Sequence, residues 1–69
     1  MTLREALADV LGHALLERLT ATLGTEWAVL AAYSRIEATG AWTEGARALD
    51  RWPERRDRAW DAVSKARPG

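Results

Sequence analysis

Asp9, His13 and Glu17 have the side chains and the spacing of a candidate metal site near the N-terminus. They follow one another at intervals of four residues, so an unbroken helix would place all three on one face. Such a row can hold a divalent ion or adjust the chemistry of the histidine, but metal sites need three or four converging ligands. On a single helix, a surface pair between histidine and a carboxylate is the more common result. The sequence therefore predicts no metal and no other cofactor.

The other side chains that catalysis requires are scarce. The chain has no cysteine and only two serines, and no serine lies within a helical turn of the single histidine. No glycine-rich loop of the phosphate-binding kind occurs. A few short helices also leave little room for a concave pocket that excludes water. The sequence predicts that the protein is not an enzyme.

Tryptophan and arginine form a second group of candidate functional residues. Four tryptophans are present in 69 residues, and each indole can bury about 150–250 Å². Trp27 and Trp42 lie beside other apolar positions, which favours the core for both. Trp52 lies in residues 50–58, where seven of nine residues are charged, and either core or partner contact is open to it. Because aromatic residues and arginine are typical of interface hot spots, the predicted partner-binding residues are Arg51, Trp52, Arg55, Arg56 and Trp60.

The alternative is a small helical nucleic-acid-binding regulator that uses the arginine-rich residues 51–58, with arginines on phosphates and Trp52 stacked on a base. The net charge of zero argues against it, and acids are interleaved with the arginines. Glu54 precedes Arg58 by four residues, an order typical of ion pairs on a solvated helix face, and Asp61 precedes Lys65 in the same way. The chain also lacks the asparagine and glutamine that read adenine. Nucleic acid is therefore the disfavoured partner. The arginines concerned are Arg51, Arg55, Arg56 and Arg58.

The first element that must position these residues is a helix opened by Thr2 and Glu5, which form a capping-box pattern. Two apolar stripes follow at helical spacing, and their directions differ. Gly12 lies where the phase changes, yet its good helix-forming neighbours favour one continuous helix. Two faces imply two neighbours, so we expect self-association, most simply a dimer. The second stripe, which would form that contact, comprises Leu15, Leu16, Leu19 and Leu23.

Two further helical segments are expected. Gly24 should end the first helix and Thr25 cap the next, which runs over about 26–39 and ends at Gly40. This second helix is apolar nearly all round, so it is central or lies between subunits. Thr43 can cap the third segment, which Pro53 must kink or break. The pattern predicts helices over about 43–51 and 53–66 and a frayed end at 67–69.

Residues 33–52, YSRIEATGAWTEGARALDRW, resemble a helical hairpin of the tetratricopeptide type. The likeness consists of Gly40, the aromatic Trp42 two residues later, and the hydrophobic Leu49 on the second helix. Gly45 stands at the small alanine position of the repeat. A single repeat does not form a stable solenoid. The resemblance therefore implies an α-hairpin with similar turn chemistry rather than membership of the family.

Together these patterns predict a single all-α domain over residues 1–69, a small bundle of three to four helices with its third segment kinked or broken at Pro53. Because so short a chain has a marginal core, we expect a non-catalytic protein-interaction module that acts as an adaptor, inhibitor or regulator. The lack of cysteine favours a cytoplasmic location, and no apolar run approaches membrane-spanning length. Nine arginines against one lysine, with fourteen alanines, suggest a bacterial or phage source.

Overall fold

The computed structural model describes residues 1–66, which form five α-helices. No strand occurs in this part of the chain, which confirms the all-α class. The frayed end predicted for residues 67–69 lies outside the described residues. The helices are α1 (Leu3–Leu11), α2 (His13–Thr22), α3 (Thr25–Thr39), α4 (Glu44–Asp50) and α5 (Pro53–Ala66).

The structure has one helix more than predicted because the N-terminal segment breaks at Gly12 into α1 and α2. The predicted continuous helix is therefore wrong. Gly12 has φ +87°, a conformation that residues with a side chain rarely adopt. Its amide still donates to the carbonyl of Ala8 at 2.7 Å, and its own carbonyl accepts from Leu16 at 3.0 Å. The bend lets both apolar stripes contribute to one core, where Leu7 of the first stripe and Leu16 of the second are each 1% exposed. The change of phase in the sequence thus marks a change of direction.

Most of the predicted caps are present. Glu5 donates its amide to the Thr2 hydroxyl at 3.1 Å and accepts from the Thr2 amide at 2.8 Å, which completes the capping box. Thr43 accepts from the amide of Ala46 at 3.2 Å and so caps α4. Gly40 ends α3 in the left-handed conformation at φ +66°. The cap predicted at Thr25 is wrong, because α3 begins at that residue and has no side-chain cap.

The core depends on close contact between helices at alanine. Helix α4 packs mainly on α1 and α5 packs on α3, while α3 contacts each of the other four helices. The predicted central position of this apolar helix is therefore confirmed. Within residues 1–66, no helix is both long and apolar enough to cross a membrane. The buried core residues are Ala6, Leu7, Leu11, Leu16, Ala28, Val29, Ala32, Ile36, Ala46, Ala48, Leu49 and Ala59.

The segment that resembles a tetratricopeptide hairpin folds differently from a repeat. Helices α3 and α4 follow each other through a turn at Gly40, but α4 makes its main contact with α1. Gly45 lies buried in that contact, beside Asp9 and Ala6 of α1. The likeness in turn residues does not extend to the packing, because the partner of α4 lies far away in the sequence.

Candidate protein-interaction site

The break at Gly12 separates the residues of the candidate metal site. Asp9 lies on α1, whereas His13 and Glu17 lie on α2. The Asp9 carboxylate accepts from the backbone amide of Gly45 at 2.8 Å, and Glu17 forms an ion pair with Arg4. Within residues 1–66, no group of three or more acidic, histidine or cysteine side chains could hold a metal ion. The two carboxylates therefore serve contacts between helices.

Asp9 connects α1 to the start of α4. Hydrogen bonds from the Thr43 side chain and from the Gly45 amide lower the pKa of the Asp9 carboxyl below its ordinary value of 3.8, while burial opposes them. Gly45 lies in the first turn of α4, so the Asp9 carboxylate holds the start of that helix against α1. The ionised form of Asp9 is the form that the fold stabilises.

This contact makes a testable prediction about pH. A carboxyl whose pKa is lower in the folded than in the unfolded chain stabilises the fold above the unfolded value. That contribution should be complete above about pH 3.8 and lost as the pH falls through the folded pKa of Asp9. Thermal unfolding of the wild type and Asp9→Asn from neutral to acidic pH measures it, and the wild-type advantage should shrink only in the acidic range. An advantage that is constant at every pH would contradict the assignment.

The tryptophans are more exposed than the sequence indicates. Trp27, Trp42 and Trp60 are 42%, 51% and 58% exposed, whereas Trp52 is half-buried and packs against the core. The prediction that Trp27 and Trp42 belong to the core is wrong. Six of the twelve buried core residues are alanine, and helices that meet at alanine leave no space for an indole between them.

Tyr33 is a residue of the site that the sequence did not single out. Its hydroxyl donates to the carbonyl oxygens of Leu49 and Trp52, the latter at 3.2 Å. The guanidinium carbon of Arg56 lies 5.6 Å from the centre of the Tyr33 ring, a cation–π arrangement. Burial raises the pKa of Tyr33, against the opposing effect of Arg56. Tyr33 therefore fastens α3 to the break between α4 and α5, and it engages both Trp52 and Arg56 in the fold.

The break itself follows the expectation from Pro53. Helix α4 ends at Asp50 and α5 begins at Pro53. Pro53 has no amide to donate, and it takes the first position of α5, where none is needed. The Trp52 carbonyl accepts from the amide of Arg55 at 2.9 Å in addition to the Tyr33 hydroxyl. The segment is therefore broken at Pro53 and not merely kinked, and α4 packs mainly on α1 while α5 packs on α3.

Two grooves meet at Trp42. The first, which we term the basic groove, has a volume of about 530 Å³ and is lined by Met1, Trp42, Glu44, Arg47, Ala48 and Arg51. The second, which we term the mixed groove, has a volume of about 350 Å³. It is lined by Tyr33, Ile36, Glu37, Gly40, Trp42, Ala46, Asp50 and Arg56.

The predicted partner-binding residues other than Trp52 are divided between the two grooves and the exposed surface of α5. Arg51 lines the basic groove and Arg56 the mixed groove, and Arg55 and Trp60 are exposed on α5. Trp42 lines a groove with Arg51 and another with Arg56, although its apolar neighbours in the sequence favoured a position in the core. Comparisons with protein families, curated proteins and solved structures find no match to this chain.

The charged residues of α5 are less paired than expected. Asp61 and Lys65 form the predicted ion pair at 3.0 Å. Between Glu54 and Arg58, no ion pair forms in the described part of the chain. Arg55 and Arg58 are both exposed. The face of α5 is solvated, and Arg55 and Arg58 are accessible to a ligand, whereas Arg56 is engaged with Tyr33.

The leucines predicted for self-association have different environments. Leu16 is 1% exposed and belongs to the core, so it is not accessible to a second copy in this fold. Leu15 and Leu19 are half-buried and pack against the core. Leu23, at the end of α2, is 55% exposed. An accessible contact at this end of the molecule therefore centres on Leu23.

Proposed function

We propose that this protein is a non-catalytic module that binds another protein, as an adaptor, an inhibitor or a regulator. One observation carries the proposal: three tryptophans, Trp27, Trp42 and Trp60, each expose more than two fifths of their surface. Exposing large aromatic side chains to water is unfavourable, and tryptophan is the residue most typical of binding hot spots. Trp42 is the best anchor, because charged grooves flank it on both sides. The lack of cysteine supports a cytoplasmic location for this activity.

Affinity capture with matched tryptophan variants tests the proposal. Tagged wild-type protein should retain a protein partner from nuclease-treated extract of the source cells. Trp42→Ala should reduce the amount retained by about tenfold, the typical effect of removing a hot-spot tryptophan. Trp27→Ala is the matched control, since it removes an exposed indole that lines neither groove, and retention should persist. Trp52→Ala is less suitable, because Trp52 packs on the core.

Circular dichroism of each variant controls for folding. The exposed positions of Trp27 and Trp42 lead us to expect unchanged helicity. Wild-type protein that retains no protein partner would contradict the proposed function. Equal retention by the wild type and Trp42→Ala would remove Trp42 from the site.

Nucleic-acid binding is the second candidate. It is supported by Arg51, Arg55 and Arg58, which are exposed and, within residues 1–66, take part in no ion pair. Against it stand the net charge of zero and the engagement of Arg56 with Tyr33. Binding through phosphates weakens steeply as salt is added. In the same capture experiment, material that nuclease removes would favour this candidate over a protein partner.

Self-association is a further part of the proposal. An exposed Leu23 and three exposed tryptophans leave apolar surface that a second copy could cover. Leu15 and Leu19 lie on α2, which Leu23 follows, and both are half-buried, so each adds some apolar surface. We propose a dimer in which the end of α2 carries the contact.

A further inference from the structure

We infer that the basic groove binds an acidic segment of the partner protein. This inference rests on the proposed function and specifies the chemistry of the partner. The groove brings together the exposed indole of Trp42 and the guanidinium groups of Arg47 and Arg51. Within the described residues, neither arginine takes part in an ion pair or a side-chain hydrogen bond. Two cations and an aromatic surface are thus available to a ligand at one place.

The spacing of the arginines suits carboxylates. Arg47 lies on α4 and Arg51 is its C-cap, and both line the basic groove at a spacing of four residues, the spacing at which helical side chains are neighbours. Arg51 keeps helical backbone angles as the C-cap of α4, and its amide donates to the carbonyl of Ala48 at 3.2 Å. Each guanidinium can bind a carboxylate through two parallel hydrogen bonds. The indole of Trp42 can meanwhile cover the apolar stems of the acidic side chains.

The groove is held in place before any ligand arrives. Helix α4 is anchored by the bond of 2.8 Å from the Gly45 amide to Asp9 and by the buried side chains of Ala46 and Leu49. Ala48, which is also buried, lines the floor of the groove. A ligand therefore orders mainly the two arginine side chains. A preformed site loses less affinity to ordering than a flexible one does.

The distribution of charge selects an acidic protein segment. Glu44 is the one acid that lines the basic groove, against two arginines. On the other side of Trp42, two acids, Glu37 and Asp50, line the mixed groove against one arginine, Arg56, so that side disfavours an acidic ligand. A nucleic acid needs a cation for each phosphate that it neutralises, along an extended path. Two neighbouring arginines and an indole instead match a short segment of acidic and apolar residues.

The test measures binding of a short, fluorescein-labelled peptide of alternating glutamate and leucine to the full chain by fluorescence anisotropy. The double variant Arg47→Ala/Arg51→Ala should raise the dissociation constant by roughly fivefold, the effect of losing two exposed charge pairs. Trp42→Ala should raise it by about tenfold. The matched control is Arg55→Ala/Arg58→Ala, which removes the same charge from α5 and should change the dissociation constant by about twofold or less.

Results of three kinds would overturn the inference. One is the absence of binding by the wild type, or equal binding of a peptide with glutamine in place of glutamate. Another is an equal loss in both double variants, which would indicate attraction to overall charge. The third is displacement of the peptide by a single-stranded oligonucleotide of equal charge at lower concentration, which would favour nucleic acid. If a protein partner is still captured through Trp42 while the peptide fails, the proposed function stands and only the acidic ligand is wrong.

Discussion

Replacing Gly45 with alanine is expected to lower the free energy of unfolding by about 3 kcal/mol, the upper part of the range for overpacking a core. A Cβ at this position would lie 2.7 Å from both the Cβ and the Oδ2 of Asp9 and 2.8 Å from the carbonyl oxygen of Ala6. The backbone of α1 cannot move aside without disturbing its contact with α4. Alanine within a helix is normally favoured over glycine by about 1 kcal/mol, so the expected sign is the reverse of helix propensity.

Gly40→Ala is the matched control for this prediction. Gly40 has φ +66°, and no atom lies within 4 Å of the position that an added Cβ would take, so alanine there meets conformational strain alone. That strain costs about 1–2 kcal/mol. Urea unfolding of the wild type and both variants gives the free energies. If Gly45→Ala loses less stability than Gly40→Ala, the close approach of α1 and α4 is not as tight as the structure shows.

Leu16→Ala is expected to lower the free energy of unfolding by about 3 kcal/mol, a typical value for a leucine in a well-packed core. Leu16 is 1% exposed, and it is the one residue of α2 that is fully buried. Leu23→Ala makes the same chemical change at a position that is 55% exposed. Its effect on the free energy of a single chain should stay within about 0.5 kcal/mol. Urea unfolding at low protein concentration compares the two variants directly.

The same pair separates the core from self-association. Sedimentation equilibrium over a dilution series should show a wild-type mass that rises with concentration, and Leu23→Ala should require more protein to reach the same mass. Leu16→Ala should lower the free energy of unfolding, but the folded Leu16→Ala protein should associate at the same concentration as the wild type. A wild-type mass that equals one chain at every concentration would contradict the dimer. Equal destabilisation by both substitutions would contradict the burial that distinguishes the two leucines.

Several helix ends were predictable from sequence because they depend on local chemistry. The pair Thr2 and Glu5, the left-handed Gly40, and Pro53 each determine the backbone through their own side chain or its absence. Gly12 is different, since a glycine costs a helix only about 1 kcal/mol and both outcomes were open. The break occurs because it lets Leu7 and Leu16 reach the same core. That gain depends on contacts between distant residues.

The candidate site was predictable only in part. Arg51 and Arg56 were identified from their charged surroundings, and both line grooves beside an aromatic residue. The aromatic residue is Trp42, whose apolar neighbours in sequence favoured burial. Trp42 lies in the connection between α3 and α4, and α4 packs chiefly on α1, a contact between segments distant in the sequence. Tyr33 could have been singled out as a polar aromatic residue in an apolar helix, since a buried hydroxyl needs a hydrogen-bond partner.

Trp42 is a wall of both grooves, and this shared position has a consequence for any pair of ligands. Because the Trp42 indole separates the two grooves, a ligand that displaces the indole to widen one groove narrows the other. Two ligands, one in each groove, that each displace the indole would then compete for binding without contacting each other. By thermodynamic reciprocity, each would weaken the other by the same factor. In this way a small domain can make the binding of one ligand depend on the absence of another.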